Sequence, residues 1–124
     1  MKNLIIAPTS STPAINFRKE GRLLIEGRSL PEDTAKFFSP LIDFARHITA
    51  TEVKVVVKLE YLNSSSTKKL LELLNVLDVN RQINSLSVEW FFEEEDEDIL
   101  ENGQIFEELL RKAMFRYHEI KIAA

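Results

Sequence analysis

The sequence predicts one α/β domain, a mixed β-sheet with helices packed mainly on one side. Three observations predict it. Stretches of two-residue alternation take turns with stretches of helical spacing along most of the chain. The run Val53 to Leu59 is nearly all apolar and β-branched, as a central strand buried on both faces would be. Two short strand patterns near the N-terminus are parted by a turn at Lys19-Glu20-Gly21, which reads as a hairpin.

Taken in order, Leu4 to Ala7 is a short apolar run stopped by Pro8, an edge strand. Thr9 to Pro13 is loop chemistry. Ile15 and Phe17 share a face of the next strand, and Arg22 to Glu26 returns as its hairpin partner. Ser29 and Glu32 stand in capping-box spacing ahead of a helical stretch that runs to about Ile48. Phe38, Leu41, Ile42, Ala45 and Ile48 form its apolar face, and Pro40 should kink or split it.

After the Val53 to Leu59 strand, a hydroxyl-rich turn leads into a second helix, about Ser66 to Gln82, with Leu70, Leu73, Leu74 and Leu77 inward. Ser85 to Phe92 alternates as a strand that puts Leu86, Val88, Trp90 and Phe92 on one face and Phe91 on the other. The acidic block Glu93 to Asp98 leads a third helix to about Lys112, which Gly103 weakens. Phe115 to Ile122 alternates loosely as a last short strand. Strand–helix–strand units with short joins imply parallel neighbours.

The 124 residues, taken together as 1–124, fit one domain with a core of its own. A formal net charge of -4 argues against a nucleic-acid partner. No cysteine is present, which removes disulfides, thiolate catalysis and zinc–thiolate sites. The N-terminal apolar run is too short for a secretory leader and no run reaches membrane length, so the expected location is cytoplasmic, with no membrane partner.

Chemistry-bearing motifs are few. The P-loop, dinucleotide, nucleophile-elbow and zincin patterns are all missing. His47 and His118 lack ligand spacing, and the acidic block lacks the interleaved ligands and glycine of a calcium loop. The sequence therefore gives no catalytic residue, no metal and no cofactor. What stands out is Tyr61-Leu62-Asn63-Ser64-Ser65-Ser66-Thr67-Lys68-Lys69, at the junction of the strongest strand and the second helix. Four hydroxyls in a row can cap a helix or accept phosphate at its positive end. Capping is the commoner use, and one residue suffices for it. Lys68 and Lys69 stand a turn further in, within reach of an added phosphate.

This order of elements resembles the STAS-like (SpoIIAA-like) domains of bacterial partner-switching systems. More closely, the chain resembles the SiaC-type regulatory phosphoproteins of biofilm control. Ser11-Thr12-Pro13-Ala14-Ile15, Tyr61-Leu62-Asn63-Ser64-Ser65-Ser66 and Val88-Glu89-Trp90-Phe91-Phe92 carry the likeness. Pro40, Gly103 and the tail after Phe115 depart from it.

The resemblance implies a non-enzymatic switch. Its phosphoacceptor position, directly after the asparagine, falls on Ser64, with Ser65, Ser66 and Thr67 left open as alternatives. With Ser64 as acceptor, capping would pass to Ser65 or Ser66. Tyr61, Leu62, Asn63, Ser65, Lys68 and Lys69 would form the partner surface. The implied partners are a serine/threonine kinase, a PP2C-like phosphatase and an effector, a diguanylate cyclase, which the unphosphorylated form would activate in cyclic-di-GMP signalling. An anti-sigma-factor antagonist of the same fold is the alternative, and a small metal-dependent enzyme using the acidic block and His118 is a more distant one.

Overall fold

The computed structural model describes residues 1–121. Its elements run β1 (Leu4–Ile6), β2 (Ala14–Phe17), β3 (Arg22–Ser29), α1 (Thr34–His47), β4 (Glu52–Leu62), α2 (Ser64–Val79), β5 (Ser85–Glu93), α3 (Glu97–Leu109) and β6 (Met114–Ile120). The six strands form one sheet in sequence order. β1, β2 and β3 pair antiparallel, whereas β3, β4, β5 and β6 run parallel, joined by α1, α2 and α3. The mixed α/β sheet expected from the sequence is what forms. The predicted end of the last strand at Ile122 lies outside the described residues.

Alternation along the strands explains why one face is covered. Ile15, Phe17, Leu23, Ile25, Val53, Val55, Val57, Leu86, Val88 and Trp90 point into a single core with the apolar stripes of the helices. Their neighbours in sequence, such as Arg22, Lys54 and Glu26, point the other way and are exposed. β4 is therefore central but buried on one face only. The expectation of two-sided burial fails because Lys54, Val56 and Lys58 line the open side.

Other expectations shift for local reasons. α1 is capped by Asp33, whose side chain accepts from the backbone N–H of Lys36 at 3.0 Å, so Ser29 and Glu32 form no capping box. β3 instead extends to Ser29. Pro40 sits within α1 without splitting it. It costs one backbone donor, while Phe38, Leu41, Ile42 and Phe44 still anchor the helix in the core.

α2 begins at Ser64 rather than Ser66 and ends at Val79 rather than Gln82. α3 stops at Leu109, short of Lys112. Within the acidic block, Asp96 caps α3 through the N–H of Ile99, and Glu97 and Asp98 occupy the first turn, where the helix dipole favours them.

Two buried contacts tie the third crossover to the rest. The fully buried indole of Trp90 donates to the carbonyl of Ile99 at 2.9 Å and meets Phe106 edge-on at 5.5 Å. It also lies against Gly103, where an added Cβ would come within 2.7 Å of the indole nitrogen. Gly103 is thus a seat for Trp90, not merely a weak spot in the helix. At the far end of α2, the buried carboxylate of Asp78 accepts backbone N–H groups of Arg111, Lys112 and Ala113 at 2.8–2.9 Å. The segment between α3 and β6 is held by this side chain and by the Lys112 ammonium, which donates to the carbonyls of Asn80 and Ile83 at 2.9 and 2.6 Å.

Two stability predictions follow. Gly103→Ala will lower stability by about 1–3 kcal/mol through overpacking against Trp90, although alanine is the better helix former by roughly 1 kcal/mol. Urea denaturation followed by Trp90 fluorescence measures it. Asp78→Ala, which strands three backbone donors, will cost on the order of 3 kcal/mol, read by thermal unfolding.

Candidate functional site

The carboxyl ends of β3 and β4 and the first turns of α1 and α2 meet at one edge of the molecule. Sequence-local chemistry and one irregularity set this edge. Gly27, at φ 124°, permits a bulge, after which Arg28 pairs with Tyr61 and Ser29 with Leu62, leaving Glu60 as the extra residue. Simple alternation would point Tyr61 inward like Leu59. The bulge turns it out, 44% exposed, with the Arg28 guanidinium 5.3 Å from its ring centre. Leu62 is half-buried against the core.

Asn63 then caps α2. Its side-chain oxygen accepts from the N–H of Ser66 at 2.9 Å, and its backbone N–H reaches the carbonyl of Ser29 at 3.1 Å. The cap is neither Ser65 nor Ser66, contrary to expectation, because Asn63, directly ahead of the helix, does the same work. All four hydroxyls are thereby inside the helix, at its first four positions.

Helical geometry then sorts them. Ser66 is fully buried and accepts a hydrogen bond at 2.9 Å from Ser29, which is also fully buried. A helix turns about 100° per residue, so with Ser66 pointing inward, Ser64 points nearly the opposite way. Ser64 is exposed and its hydroxyl makes no hydrogen bond among the described residues. Ser65, a quarter turn aside, meets the Thr34 hydroxyl of α1 at 2.8 Å and reaches Asn63 at 3.3 Å. Thr67 is half-buried and donates back to the carbonyl of Asn63 at 3.0 Å.

Around Ser64 lies an open hollow between α2 and α3, lined by Leu62, Thr67, Lys68, Asp98, Glu101 and Ile105. Lys68 is exposed here, one turn along from Ser64. Lys69 is turned to Glu72, 3.0 Å from its carboxylate, and does not line the hollow. The Ser11 to Pro13 loop comes to the same edge of the sheet. Ser11 accepts from the N–H of Leu30, and Pro13 packs on Gly27. Two of the three stretches that carry the family resemblance therefore meet at one place, and the third supplies the core strand β5.

Several residues of this edge carry no signal in the sequence that links them to Ser64. Ser29, Thr34, Asp98 and Glu101 lie far along the chain from Ser64 and are brought in by the fold alone. Gly27, inside an otherwise strand-like run, is the one visible hint of the bulge.

Other candidates do not assemble. His47, near the end of α1, bonds the carbonyl of Asp43 on the helix side, while His118 stands on the open face of the sheet beside Glu89 at 3.6 Å. The two histidines are thus on opposite sides of the sheet. Among the described residues no group of three or more acidic, histidine or cysteine side chains could hold a metal ion. No helix among them is long and apolar enough to cross a membrane.

The comparisons with known proteins agree with one another. Residues 6–120 match the model of the SiaC family regulatory phosphoproteins. A protein of Pseudomonas aeruginosa (strain UCBPP-PA14), itself described as uncharacterized, is 32% identical over 113 residues, covering 87% of this chain and 90% of its own. The solved structure of SiaC of Pseudomonas aeruginosa superposes with a TM-score of 0.81 at 28% identity, over 95% of this chain and 100% of that one. The structure of diguanylate cyclase SiaD in complex with its activator SiaC, from the same organism, contains a chain that matches at a TM-score of 0.79 and 29% identity, over 96% and 99% of the two chains. The chain belongs to the SiaC family of regulatory phosphoproteins and is a regulator rather than an enzyme.

Proposed function

We propose that this protein activates a diguanylate cyclase and that phosphate on Ser64 turns the activation off. The activator role rests on family membership and on the likeness to a SiaC chain solved with the cyclase it activates. The observation that favours Ser64 is its exposed, unbonded hydroxyl in the first turn of α2, beside three hydroxyls that are buried or already engaged. Ser66, closed in the core, offers a kinase no access without local unfolding.

The chemistry of the switch follows from charge. A phosphoryl group adds about −1.5 to −2 charges at neutral pH. At the first turn of α2 the helix dipole tolerates it, and Lys68 can pair with it. Across the hollow, Asp98 and Glu101 face the same space and gain a repulsive neighbour. An edge that presents Tyr61, Leu62, Asn63, Ser65 and Lys68 around a neutral hydroxyl would then present a dianion. A partner that seats an apolar or acidic group against Ser64 loses that seat. A serine/threonine kinase would place the phosphate and a PP2C-like phosphatase would remove it, which makes the protein a partner switch in cyclic-di-GMP signalling and biofilm control, in the cytoplasm. Lys69, held by Glu72, contributes to the general field of the edge and not to phosphate contact.

Binding of the purified chain to a diguanylate cyclase from the same genome tests the reading. Ser64→Ala will bind and stimulate the cyclase within about twofold of the parent, and Ser64→Asp will bind at least roughly tenfold more weakly, a loss of 1.4 kcal/mol or more. Equal binding by both variants overturns the switch at Ser64, and no binding by any form overturns the cyclase as partner.

A further inference from the structure

The sheet ends in two unequal edges. β1, on one side, has three residues and stops ahead of Pro8. β6, on the other, has seven and pairs with β5 in unbroken register. Backbone groups along a strand alternate between its two sides. The carbonyl of Ile120 accepts from the N–H of Glu94, so Ile120, His118, Arg116 and Met114 turn theirs toward β5. Phe115, Tyr117 and Glu119 therefore turn their N–H and C=O groups to the free side. Of the devices that blunt such an edge, β6 lacks both proline and bulge, and no described strand lies beyond it.

Side chains flanking this edge divide by face. Phe115, Tyr117 and Glu119 stand on the helix side, where Phe115 meets Trp90 and the Tyr117 hydroxyl donates to Glu107 of α3 at 2.8 Å. α3 brings five carboxylates and no cation. Met114, Arg116, His118 and Ile120 stand on the open face, with Glu89 3.6 Å from His118. Met114 and Ile120, the ends of that row, are 72% and 40% exposed. Arg111 and Lys121 lie beyond the two ends of the strand. The edge is thus acidic on the helix side and carries exposed apolar groups on the other.

A second copy of the chain fits this edge poorly. Antiparallel pairing about a twofold axis keeps both sets of helices on one side and, to pair the whole strand, centres on Tyr117. It gathers Glu107 and Glu119 of both copies on that side, and like charges across a strand pair are destabilising. We propose instead that β6 accepts an extended segment of a partner protein, added to the six-stranded sheet as a further strand. The segment alternates. Lysine or arginine points to the helix side, against Glu107 and Glu119, and apolar residues point to the other, beside Met114 and Ile120. The Ser64 reading is not needed for this, because β6 lies two strands away from β4, which leads into the Ser64 turn.

The test uses the full chain and synthetic peptides of about eight residues, alternating valine with lysine or valine with glutamate. In NMR titrations the lysine peptide will slow amide exchange at Phe115, Tyr117 and Glu119. Exchange at Arg116 and His118, whose N–H groups already face β5, will not change. The lysine peptide will bind at least about fivefold tighter than the glutamate peptide. Glu107→Gln combined with Glu119→Gln will bring the two within about twofold of each other. A lysine peptide N-methylated at alternate residues, on the amides that would face β6, will not bind. Equal affinity of the two peptides for the parent chain, binding by the methylated peptide, exchange slowed at other residues, or no binding at all would overturn the proposal. So would sedimentation of the chain alone as a dimer that protects those three amides, since a second copy would then be the occupant.

Discussion

The hydrogen bond between two buried hydroxyls, Ser29 and Ser66, decides how the edge of this molecule is presented. It joins the end of β3 to the first turn of α2 and leaves both side chains satisfied in the core. Once Ser66 is committed inward, the turn of the helix assigns the other hydroxyls their directions. Ser64 faces out, Ser65 faces α1 and Thr67 folds back on the cap. The backbone bond from Asn63 to Ser29 and the cap on Ser66 lock the same junction from the main chain. Four chemically similar residues in a row thereby acquire four different environments.

The core that supports this edge is built from one face of the sheet. Trp90 on Gly103 and Asp78 beneath the α3–β6 segment hold the third crossover to it. α3 in turn carries Asp98 and Glu101 to the hollow beside Ser64. Electrostatics at the acceptor thus depend on how Trp90 seats α3 at Ile99 and Gly103, beside those carboxylates. A regulatory phosphate at Ser64 would act on a rigid junction, so its effect would come from charge on the surface and not from rearrangement of a loose loop.

Much of this was legible in the sequence, and the limits have physical causes. Strand and helix order followed from periodicity, because each element buries one face and the apolar pattern must match its geometry. The family likeness pointed to Ser64, and two of the three stretches that carry it do meet at the end of β3 and β4. The cap was misplaced because Asn63, Ser65 and Ser66 are all competent, and local spacing cannot rank them. Ser29 looked like half of a capping box, since S-x-x-E is a local pattern and its true partner, Ser66, is 37 residues away. The two-sided burial expected of β4 failed because Lys54 and Lys58 were outvoted by the valines around them. Tyr61 was singled out by motif, but its outward direction comes from the bulge at Gly27, where the glycine is the one hint and does not fix the register.

The proposed switch turns on one oxygen atom, the hydroxyl of Ser64. The most direct measurement is intact-mass and peptide-mapping spectrometry of the chain after phosphorylation by the serine/threonine kinase of its own host. A single added phosphoryl group is expected, on Ser64, and none on the Ser64→Ala variant. A phosphate on Ser65 or Thr67 of the parent chain, or one that persists on the Ser64→Ala variant, would contradict it.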